Sequence, residues 1–440
     1  MFNLKLYNIF MDICSIILSA GKGNRMSSDI PKPLHTISGK SMLQWVIDAN
    51  KAAKIEKSII VIPENNDLIK GITSDLKTVI QPVALGTGDA VKKATQQLRE
   101  FTGIILVCFA DTPFITPKSL LKIIKAFNND TKLVVSGFKK TEKNNYGKII
   151  FSEKNSPREI IEQKDAELKN INSQFCNGGI MAIHSSVIND LDKIKKNTIT
   201  KEYYLTELVK ILSLQNKEIA FVEINENEIL GINDQIDLSI AEKIAQHSLR
   251  KQTMLNGVKL IDPETVFLNF DTEISKNVTI HPNVVFGKNV KISSAVEIKS
   301  FSHIEDCEIH ENSIIGPFAR IRGESILGKE SKVGNFVEIK KSNLEKKVKI
   351  NHLSYIGDSE IGTSTNIGAG TITCNYDGHN KNKTIIGKNS FIGSNSTIIA
   401  PINIGDKVTL GAGSVFNQDV PDNSLSIGRA RQIIKGKKKS

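Results

Sequence analysis

The residues with the clearest potential for chemistry lie in a glycine-rich turn near the start of the chain. The turn, residues 18–26, follows the apolar run 13–18, and Lys32 comes six residues after it. A strand that ends in such a turn directs backbone N–H groups at a phosphate, and Lys22, Arg25 and Lys32 would neutralise a triphosphate. The spacing is neither that of a P-loop nor that of a dinucleotide-binding turn. The turn alone is therefore compatible with a phosphate site or with a solvated basic loop.

Composition and charge narrow the class of protein. At 440 residues, with 40% hydrophobic and 24% charged residues, the chain is too long for one core and predicts two or three globular domains. The net charge of +11 favours anionic partners such as phosphates and nucleotides. Only 6% of the residues are aromatic and none interleave with a basic stripe, so we expect no nucleic-acid partner.

Neither a membrane segment nor a disulfide framework is predicted. No apolar run approaches the ~20 residues that a transmembrane helix needs, so we expect no membrane insertion. Residues 1–12 lack a sustained apolar stretch and a cleavage site, and we interpret them as an extension ahead of an alternative start at Met11. The five cysteines are scattered and form no CxxC pair, which indicates a cytoplasmic protein.

Short β-rich runs alternate with helical patterns from about residue 13 to residue 232. We predict strands at 13–18, 58–62, 103–108, 133–138 and 180–183, and helices at 42–53, 88–101 and 117–128. This alternation predicts a mostly parallel sheet with helices on both faces. Ligands of such sheets bind beyond the carboxyl ends of the strands, where the glycine-rich turn lies. Residues 234–256 then predict a long amphipathic connecting helix that Gly257 ends.

The second part of the chain has a different period. Apolar side chains recur every six positions in three runs: Val278, Val284, Val290 and Val296; Ile315, Ile321, Leu327, Val333 and Ile339; Ile386, Ile392, Ile398, Ile404, Leu410 and Phe416. A period of six is typical of a parallel β-helix in which three hexapeptides close one coil; a run of β-hairpins is the alternative. The pattern breaks at residues 374–381, which we expect to loop out of the coil and to carry function.

Several longer segments match a known family. They are residues 18–26, 81–88, 111–113, 201–204, 316–320, 334–338, 352–358 and 366–378. On these segments the chain resembles, over essentially its whole length, the bacterial bifunctional UDP-N-acetylglucosamine pyrophosphorylases / glucosamine-1-phosphate N-acetyltransferases. The resemblance implies an α/β protein with a Rossmann-like nucleotidyltransferase domain at 13–233, a connecting helix at 234–258, and a left-handed parallel β-helix of hexapeptide repeats at 259–440.

The resemblance implies uridylyl transfer in the first domain. The phosphate of N-acetylglucosamine-1-phosphate would attack the α-phosphorus of UTP, with Lys32 and Arg25 as catalytic cations that hold the phosphates. Asp111 and Asn233 would bind Mg²⁺, although an aspartate before Thr-Pro is otherwise often a turn residue. The implied nucleotide- and sugar-binding residues are Leu18, Ala20, Gly21, Lys22, Lys32, Gln81, Gly86, Thr87, Asp111, Gly147, Glu162, Asn177 and Asn233. Without the resemblance, Glu162 reads as a surface charge.

The resemblance implies acetyl transfer from acetyl-CoA to glucosamine-1-phosphate in the second domain. His352 would be the base that takes the proton of the amine; outside this family a lone histidine in a β-repeat is more often structural. The sugar phosphate would meet Arg322, Lys340, Tyr355, Asn366, Asn375, Tyr376 and Lys381. Glu338 could orient either the cations or the base. Ala369 and Ser394 would face the thioester oxygen, and Ala412 and Arg429 would contact the coenzyme.

The family also implies a homotrimer whose acetyltransferase site is shared between subunits, and a product used for peptidoglycan and lipopolysaccharide synthesis. The chain departs from the family pattern at Ser19 (usually Ala), Ala110 (usually Gly), Gly178 (usually Thr), in the missing proline between Arg322 and Gly323, and in a short tail after Arg431. Two alternatives remain: a monofunctional nucleotidyltransferase whose β-helix only oligomerises, and a non-enzymatic scaffold subunit. The presence of Lys32, Asp111 and His352 favours the bifunctional enzyme.

Overall fold

The computed structural model describes residues 11–21, 23–64, 67–140, 146–162 and 173–435. They form two compact units that divide between Ala241 and Glu242. Apart from Met11 and Asp12, the predicted extension over residues 1–12 lies outside the described residues. Within the described part of the chain, no helix combines the length and apolar character that crossing a membrane requires.

The first unit is built on one twisted sheet with helices on both faces. Its strands are β1 (Asp12–Leu18), β2 (Thr36–Ile37), β3 (Lys40–Ser41), β4 (Lys57–Pro63), β5 (Lys77–Gln81), β6 (Gly103–Phe109), β7 (Thr131–Lys139), β8 (Lys148–Phe151), β9 (Pro157–Ile161), β10 (Phe175–His184) and β11 (Glu218–Glu223). The order across the main sheet is β11-β7-β10-β6-β1-β4-β5, and β2 pairs only with β3. All neighbours in this order are parallel except β10, which runs antiparallel to β6 and β7.

The helices of the first unit lie between its strands in the chain, and two of them begin at capping side chains. They are α1 (Met42–Ala52), α2 (Asp67–Ile72), α3 (Thr87–Thr95), α4 (Pro117–Ile124) and α5 (Glu207–Leu214), and α6 (Gln235–Leu255) continues into the second unit. The Ser41 hydroxyl accepts a hydrogen bond from the N–H of Gln44, and Thr116 caps α4 in the same way ahead of Pro117. Two hydrophobic clusters cover the two faces of the sheet.

The predicted elements of this unit are confirmed, with differences at their ends. Strand β10 starts five residues before the predicted start at 180, because its first half pairs with β7 and β8. The helix predicted at 88–101 ends at Thr95 and continues as a 3₁₀ turn over Gln96–Leu98. The helix predicted at 117–128 ends at Ile124. The connecting helix is confirmed as α6, and Gly257 follows it at φ +90°, a left-handed conformation that suits glycine.

The second unit is a parallel β-helix with three faces, named here in chain order. Face 1 consists of Lys259–Leu260, Thr279–Ile280, Glu297–Ile298, Ile314–Ile315, Lys332–Asn335, Lys349–His352, Asn366–Ile367, Phe391–Ile392, Thr409–Leu410 and Leu425–Ser426. Face 2 consists of Val285–Phe286, His303–Ile304, Arg320–Arg322, Glu338–Lys340, Tyr355–Gly357, Ile372–Cys374, Thr397–Ile399 and Val415–Phe416. Face 3 consists of Glu273–Ile274, Val290–Ile292, Cys307–Ile309, Ser325–Leu327, Asn343–Leu344, Ser359–Ile361, Thr384–Ile386 and Ile402–Ile404.

The six-residue period explains the core of the β-helix. Every residue of the three predicted apolar runs is buried, from Val278 at 0% exposure to Phe416 at 4%, and all belong to one core cluster. On most coils, residues in register on neighbouring coils are 17 or 18 positions apart, as for Ile304 with Ile321 and Cys307 with Ser325. The predicted fold class, a sheet domain followed by a hexapeptide β-helix, is therefore confirmed.

Candidate active sites

A cavity of about 850 Å³ opens at the carboxyl ends of β1 and β6 in the first unit. Its lining includes the predicted catalytic Arg25 and nine of the predicted nucleotide residues: Leu18, Ala20, Gly21, Lys32, Gln81, Gly86, Thr87, Asp111 and Asn233. The structure thus brings together residues that are more than 200 positions apart in the sequence. Lys22, also predicted for this site, lies outside the described residues.

The glycine-rich turn packs directly against Lys32. Gly23 has φ +63°, and a Cβ atom added there would lie 2.6 Å from the Cβ of Lys32. A larger residue would therefore be strained by its backbone conformation and would displace the lysine. The 3₁₀ turn Asn24–Met26 follows and places Arg25 at the rim of the cavity.

Two cations meet the two predicted metal ligands in this cavity. The Lys32 Nζ atom lies 2.5 Å from Asp111 Oδ2 and 3.1 Å from Asn233 Oδ1. Arg25 Nη2 donates to the same Asn233 oxygen at 2.9 Å. The backbone joins the two ligands as well, because the N–H of Ile232 donates to the Asp111 carbonyl at 3.0 Å.

The pair Asp111 and Asn233 fits a magnesium ion. One ammonium group reaches both side-chain oxygens, so the two oxygens lie close enough to share a single cation. Carboxylate and amide oxygens are ligands that Mg²⁺ accepts, together with water and phosphate. Among the described residues there is no cluster of three or more His, Cys, Asp or Glu side chains suited to a metal. Two protein ligands would leave the other coordination positions of such an ion to water and phosphate oxygens.

The segment at Gln81–Gly88 forms a braced loop on the other side of the cavity. The buried Gln81 amide donates to Gly86 O at 3.2 Å and to Asp89 Oδ2 at 2.7 Å. Tyr203 donates its N–H to Leu85 O at 2.7 Å and accepts from the N–H of Gly88 at 2.8 Å. The sequence did not single out Asp89, whose position one helical turn into α3 was the available signal.

The predicted sugar-binding residues form a neighbouring cluster of their own. The N–H of Asn177 donates to Gly147 O at 2.8 Å, and Glu162 Oε1 accepts from the Thr206 hydroxyl at 2.8 Å. A Cβ on Gly147 would lie 3.6 Å from Glu162 Oε2, so the three predicted residues are adjacent. They do not line the cavity described above.

His352 ends a face 1 strand of the β-helix and is exposed. Its Nδ1 lies 2.8 Å from Oδ1 of Asn335, the residue in register with it one coil earlier. The Ser354 hydroxyl donates to the His352 carbonyl at 2.8 Å and holds the backbone. The sequence did not assign a role to Asn335, although its distance of 17 positions from His352 equals one coil.

Three cations gather at the end of face 2. Arg322 and Lys340 are in register on successive coils, and the ammonium of Lys381 lies beside Lys340. The hydrogen bond to Lys381, then desolvation and the charges of Lys381 and Arg322, lower the pKa of Lys340. Arg322 Nε donates to Glu338 Oε1 at 2.7 Å, so of the two predicted partners of Glu338 the structure pairs it with a cation. Like charges held this close favour the binding of an anion such as a phosphate.

The interruption at residues 374–381 is a loop, as the sequence predicted. The register step from Ser359 to Thr384 is 25 positions, against 17 or 18 on coils without the loop such as those of Ile304 and Cys307. Asn375 is buried and donates to the Asp358 carboxylate. Tyr376 is exposed and pairs by its backbone with Lys381. The loop therefore brings these predicted residues to the end of face 2.

The loop and its surroundings are held by local hydrogen bonds. The Asp377 carboxylate accepts from the N–H groups of Asn380 and His379, and these bonds lower the pKa of Asp377. The ring of Tyr355 lies over Gly357 on face 2, where a Cβ atom would overlap its hydroxyl. Asn366 lies half-buried on face 1, one coil after Lys349.

The predicted coenzyme residues form a column along successive coils. The N–H of Asn395 donates to Ala369 O at 2.7 Å, and the N–H of Gly413 donates to Ser394 O at 2.8 Å. Ser394, Ala412 and Arg429 are exposed. The Arg429 side chain approaches Gly413 and so borders the upper end of the column.

Both halves of the chain match known families. Residues 15–185 match the MobA-like NTP transferase domain. Residues 306–341 match the bacterial transferase hexapeptide (six repeats), and residues 383–418 match the hexapeptide repeat of succinyl-transferase.

Curated relatives match the chain almost from end to end. The chain is 44% identical to the bifunctional protein GlmU of Wolbachia pipientis wMel, over 96% of this chain and 97% of that protein. It is 43% identical to the bifunctional protein GlmU of Bartonella bacilliformis, over 96% and 95% of the two chains. It is 39% identical to that of Zymomonas mobilis subsp. mobilis, over 95% and 94%.

Proposed function

The chain belongs to the family of bifunctional GlmU proteins, and from this premise we propose that it carries out two consecutive reactions. It acetylates glucosamine-1-phosphate with acetyl-CoA, and then transfers UMP from UTP to N-acetylglucosamine-1-phosphate. The products are UDP-N-acetylglucosamine, for peptidoglycan and lipopolysaccharide synthesis, and pyrophosphate. The observation that carries the proposal is that one chain holds both Lys32 against Asp111 in a cavity and His352 on a β-helix with a cluster of cations.

We assign uridylyl transfer to residues 13–233. A phosphate oxygen of N-acetylglucosamine-1-phosphate forms a bond to the α-phosphorus of UTP, while the bond from that phosphorus to the bridging oxygen breaks and pyrophosphate leaves. Lys32 and Arg25 hold the phosphates and reduce the repulsion between the two anions. Asp111 and Asn233 would hold Mg²⁺, which supplies further charge neutralisation when bound.

Two separate groups of residues would bind the base and the sugar of the nucleotide product. The loop around Gly86 and Thr87 is held by the backbone of Tyr203, and together with Gln81 it is positioned to read uracil. The cluster of Gly147, Glu162 and Asn177 offers carboxylate and amide groups to sugar hydroxyls.

We assign acetyl transfer to residues 259–440, with residues 234–258 as the connecting segment. The amine nitrogen attacks the thioester carbonyl, the C–S bond breaks and the coenzyme leaves as its thiol. His352 takes the proton of the amine. Arg322, Lys340 and Lys381 hold the sugar phosphate, with Tyr355, Asn366, Asn375 and Tyr376 around the sugar. Ala369 and Ser394 face the thioester oxygen, and Ala412 and Arg429 contact the coenzyme.

We further propose a homotrimer formed through the β-helix. An exposed stack of Phe301, Phe318 and Phe336, here called the phenylalanine ladder, follows the corner between faces 1 and 2. The rings are 4.9 and 5.1 Å apart and each is about half exposed. Apolar surface of this kind is typical of an interface between chains. Leu353 continues the ladder beside His352, which supports a site shared between subunits.

The free cysteines and the net charge support proposals about the location of the protein and its binding partners. All five cysteines are free thiols, which supports the proposed cytoplasmic location. The proposed partners are UTP, acetyl-CoA and the two sugar phosphates, and no nucleic acid or membrane is among them. The surplus of positive charge serves these small anions.

One assay tests both activities. Glucosamine-1-phosphate, acetyl-CoA, UTP and Mg²⁺ are supplied, and free thiol, pyrophosphate and UDP-N-acetylglucosamine are measured. His352→Ala should abolish thiol release and leave uridylyl transfer to added N-acetylglucosamine-1-phosphate intact, whereas Asp111→Ala should do the reverse. Pyrophosphate release without thiol release by the unmodified protein would favour the monofunctional alternative.

A further inference from the structure

Among the described residues, the side-chain partner of the His352 ring is Asn335, with 2.8 Å between Nδ1 and Oδ1. We propose that Asn335 is a positioning residue for His352, which selects the imidazole tautomer with a free Nε2. This inference rests on the proposed acetyl transfer and extends it to a residue that does not touch the reacting atoms.

The hydrogen bond determines which nitrogen carries the proton. In a neutral imidazole one nitrogen donates and the other accepts. Because an amide oxygen can only accept, its contact with Nδ1 requires the hydrogen on Nδ1. The lone pair then lies on Nε2, the nitrogen that must take the proton of the amine.

The fold holds both partners of this bond in place. Asn335 and His352 end adjacent strands of face 1 in direct register. Gly334 allows these coils to approach, because a Cβ atom there would overlap the backbone carbonyl of Asn351. The Ser354 hydroxyl fixes the His352 carbonyl. These contacts fix the backbone of both residues, so their side chains start from adjacent positions on neighbouring coils.

Glu338 is the side chain that the sequence predicted could orient the base. Its Oε1 accepts from Arg322 Nε at 2.7 Å, so it is engaged with the phosphate-binding cations. The titratable side chains on the strands around His352 are Lys332, Lys349, Glu338, Lys340 and Tyr355. All are unchanged in variants at position 335, so a shifted pH profile reports the substitution itself.

The first test compares Asn335→Leu with Asn335→Asp by steady-state kinetics of acetyl transfer. Asn335→Leu should lower kcat roughly tenfold to hundredfold, a part of the ~10²–10⁴-fold that a general base contributes, with little change in KM for glucosamine-1-phosphate. Asn335→Asp keeps the acceptor and should retain most of kcat. Its carboxylate favours the imidazolium, so the acidic limb of the pH profile should move up by about one pH unit.

The second test asks whether Asn335 acts through His352. In a His352→Ala background, Asn335→Leu should cause no further loss of acetyl transfer. The ¹⁵N chemical shifts of labelled histidine should show an unprotonated Nε2 in the unmodified protein and a mixture of tautomers in Asn335→Leu, a readout that needs no activity.

Two results would overturn the proposal. One is an Asn335→Leu variant within twofold of the unmodified kcat; the other is an equal loss from this substitution with and without His352. If the unmodified protein itself releases no thiol, the proposed acetyl transfer fails instead. The tautomer measured by NMR still decides the positioning role in that case.

Discussion

Individual side chains in the first unit differ in how well their polar groups are paired. The hydroxyl of Ser19, which borders the nucleotide cavity, is buried and has no hydrogen-bond partner among the described residues. Four positions earlier, the buried Ser15 hydroxyl lies 2.8 Å from that of Ser58. The family usually has alanine at position 19, so the serine adds a polar group that no described residue satisfies.

Ser19→Ala should therefore stabilise the protein, whereas Ser15→Ala should destabilise it. Removing an unpaired buried hydroxyl recovers a desolvation cost of about 1–3 kcal/mol, and breaking a pair loses about 1 kcal/mol. Urea unfolding of the first unit measures both changes, with uridylyl transfer as the test of an intact site. A lower free energy of unfolding for Ser19→Ala would show that a ligand or water normally satisfies the hydroxyl.

The contacts of Lys32 lead to a prediction about metal affinity. Its ammonium and a metal ion would compete for the same oxygens of Asp111 and Asn233. Lys32→Met removes the competitor and one positive charge, so the affinity for Mn²⁺ or Mg²⁺ without nucleotide should rise about tenfold or more, while uridylyl transfer is lost. Isothermal titration calorimetry measures the affinity.

Lys40→Met is the matched control for this prediction. Lys40 pairs with Asp48 at 2.6 Å, and neither residue lines the nucleotide cavity. Its removal should leave the metal affinity unchanged. An equal increase in both variants would mean that net charge, and not competition at Asp111, sets the affinity.

At the scale of elements, the sequence predicts the strands and coils that have a strong pattern of apolar residues. Strands β1 and β6 are nearly continuous apolar runs, and the β-helix repeats its apolar position every six residues, so both were predicted. Strand β5 is short, lies at the edge of the sheet and mixes polar with apolar residues, and it was missed. Strand β11 was also missed, because it is only six residues long and its apolar run of four residues, between Glu218 and Glu223, is too short to be told from a helical segment.

The residues of the candidate sites also differ in whether the sequence alone could identify them. Residues of long motifs, such as Asp111 and His352, could be assigned because the family resemblance carries them. Asp89 and Asn335 could not, because their roles depend on contacts with Gln81 and His352 that only the folded chain creates. The coil length of 17 or 18 residues offers a rule for finding such partners in other hexapeptide proteins.

The backbone conformation of the loop before α3 leads to a prediction about UTP binding. Gly86 has φ +104°, and a Cβ atom there would lie 2.5 Å from the Tyr203 carbonyl oxygen. Gly86→Ala should separate the loop from Tyr203, raise KM for UTP at least tenfold, and lower the free energy of unfolding by about 1–3 kcal/mol.

Gly71→Ala is the control, because Gly71 lies inside helix α2 and an added Cβ meets nothing within 4 Å. This substitution should stabilise the helix by up to about 1 kcal/mol and leave KM for UTP unchanged. Uridylyl-transfer kinetics and urea unfolding measure both variants. An unchanged KM for UTP in Gly86→Ala would remove the loop from the nucleotide site.

At the scale of the whole molecule, the two units have cores of different construction. The sheet unit packs its strands between helices, whereas the β-helix encloses one continuous aliphatic column. The corners between the faces of the β-helix lie outside this core, and the phenylalanine ladder lies along one of these corners. The residues of the ladder all have positive φ, from 54° to 62°, a conformation that is uncommon for bulky side chains. Contacts made in an oligomer would compensate for this exposure and strain.

Phe318→Asn should therefore dissociate the proposed trimer. Asparagine tolerates the left-handed conformation of Phe318, so the substitution removes the apolar ring with little added backbone strain. Sedimentation velocity should show a shift toward monomer, and acetyl transfer should fall with it if the site is shared between subunits as proposed. Uridylyl transfer should persist. Phe267→Asn, at an exposed phenylalanine outside the ladder, should leave the sedimentation coefficient unchanged. A Phe318→Asn protein that remains trimeric would place the interface on another face, and full acetyl transfer by a monomer would show that one chain completes the site.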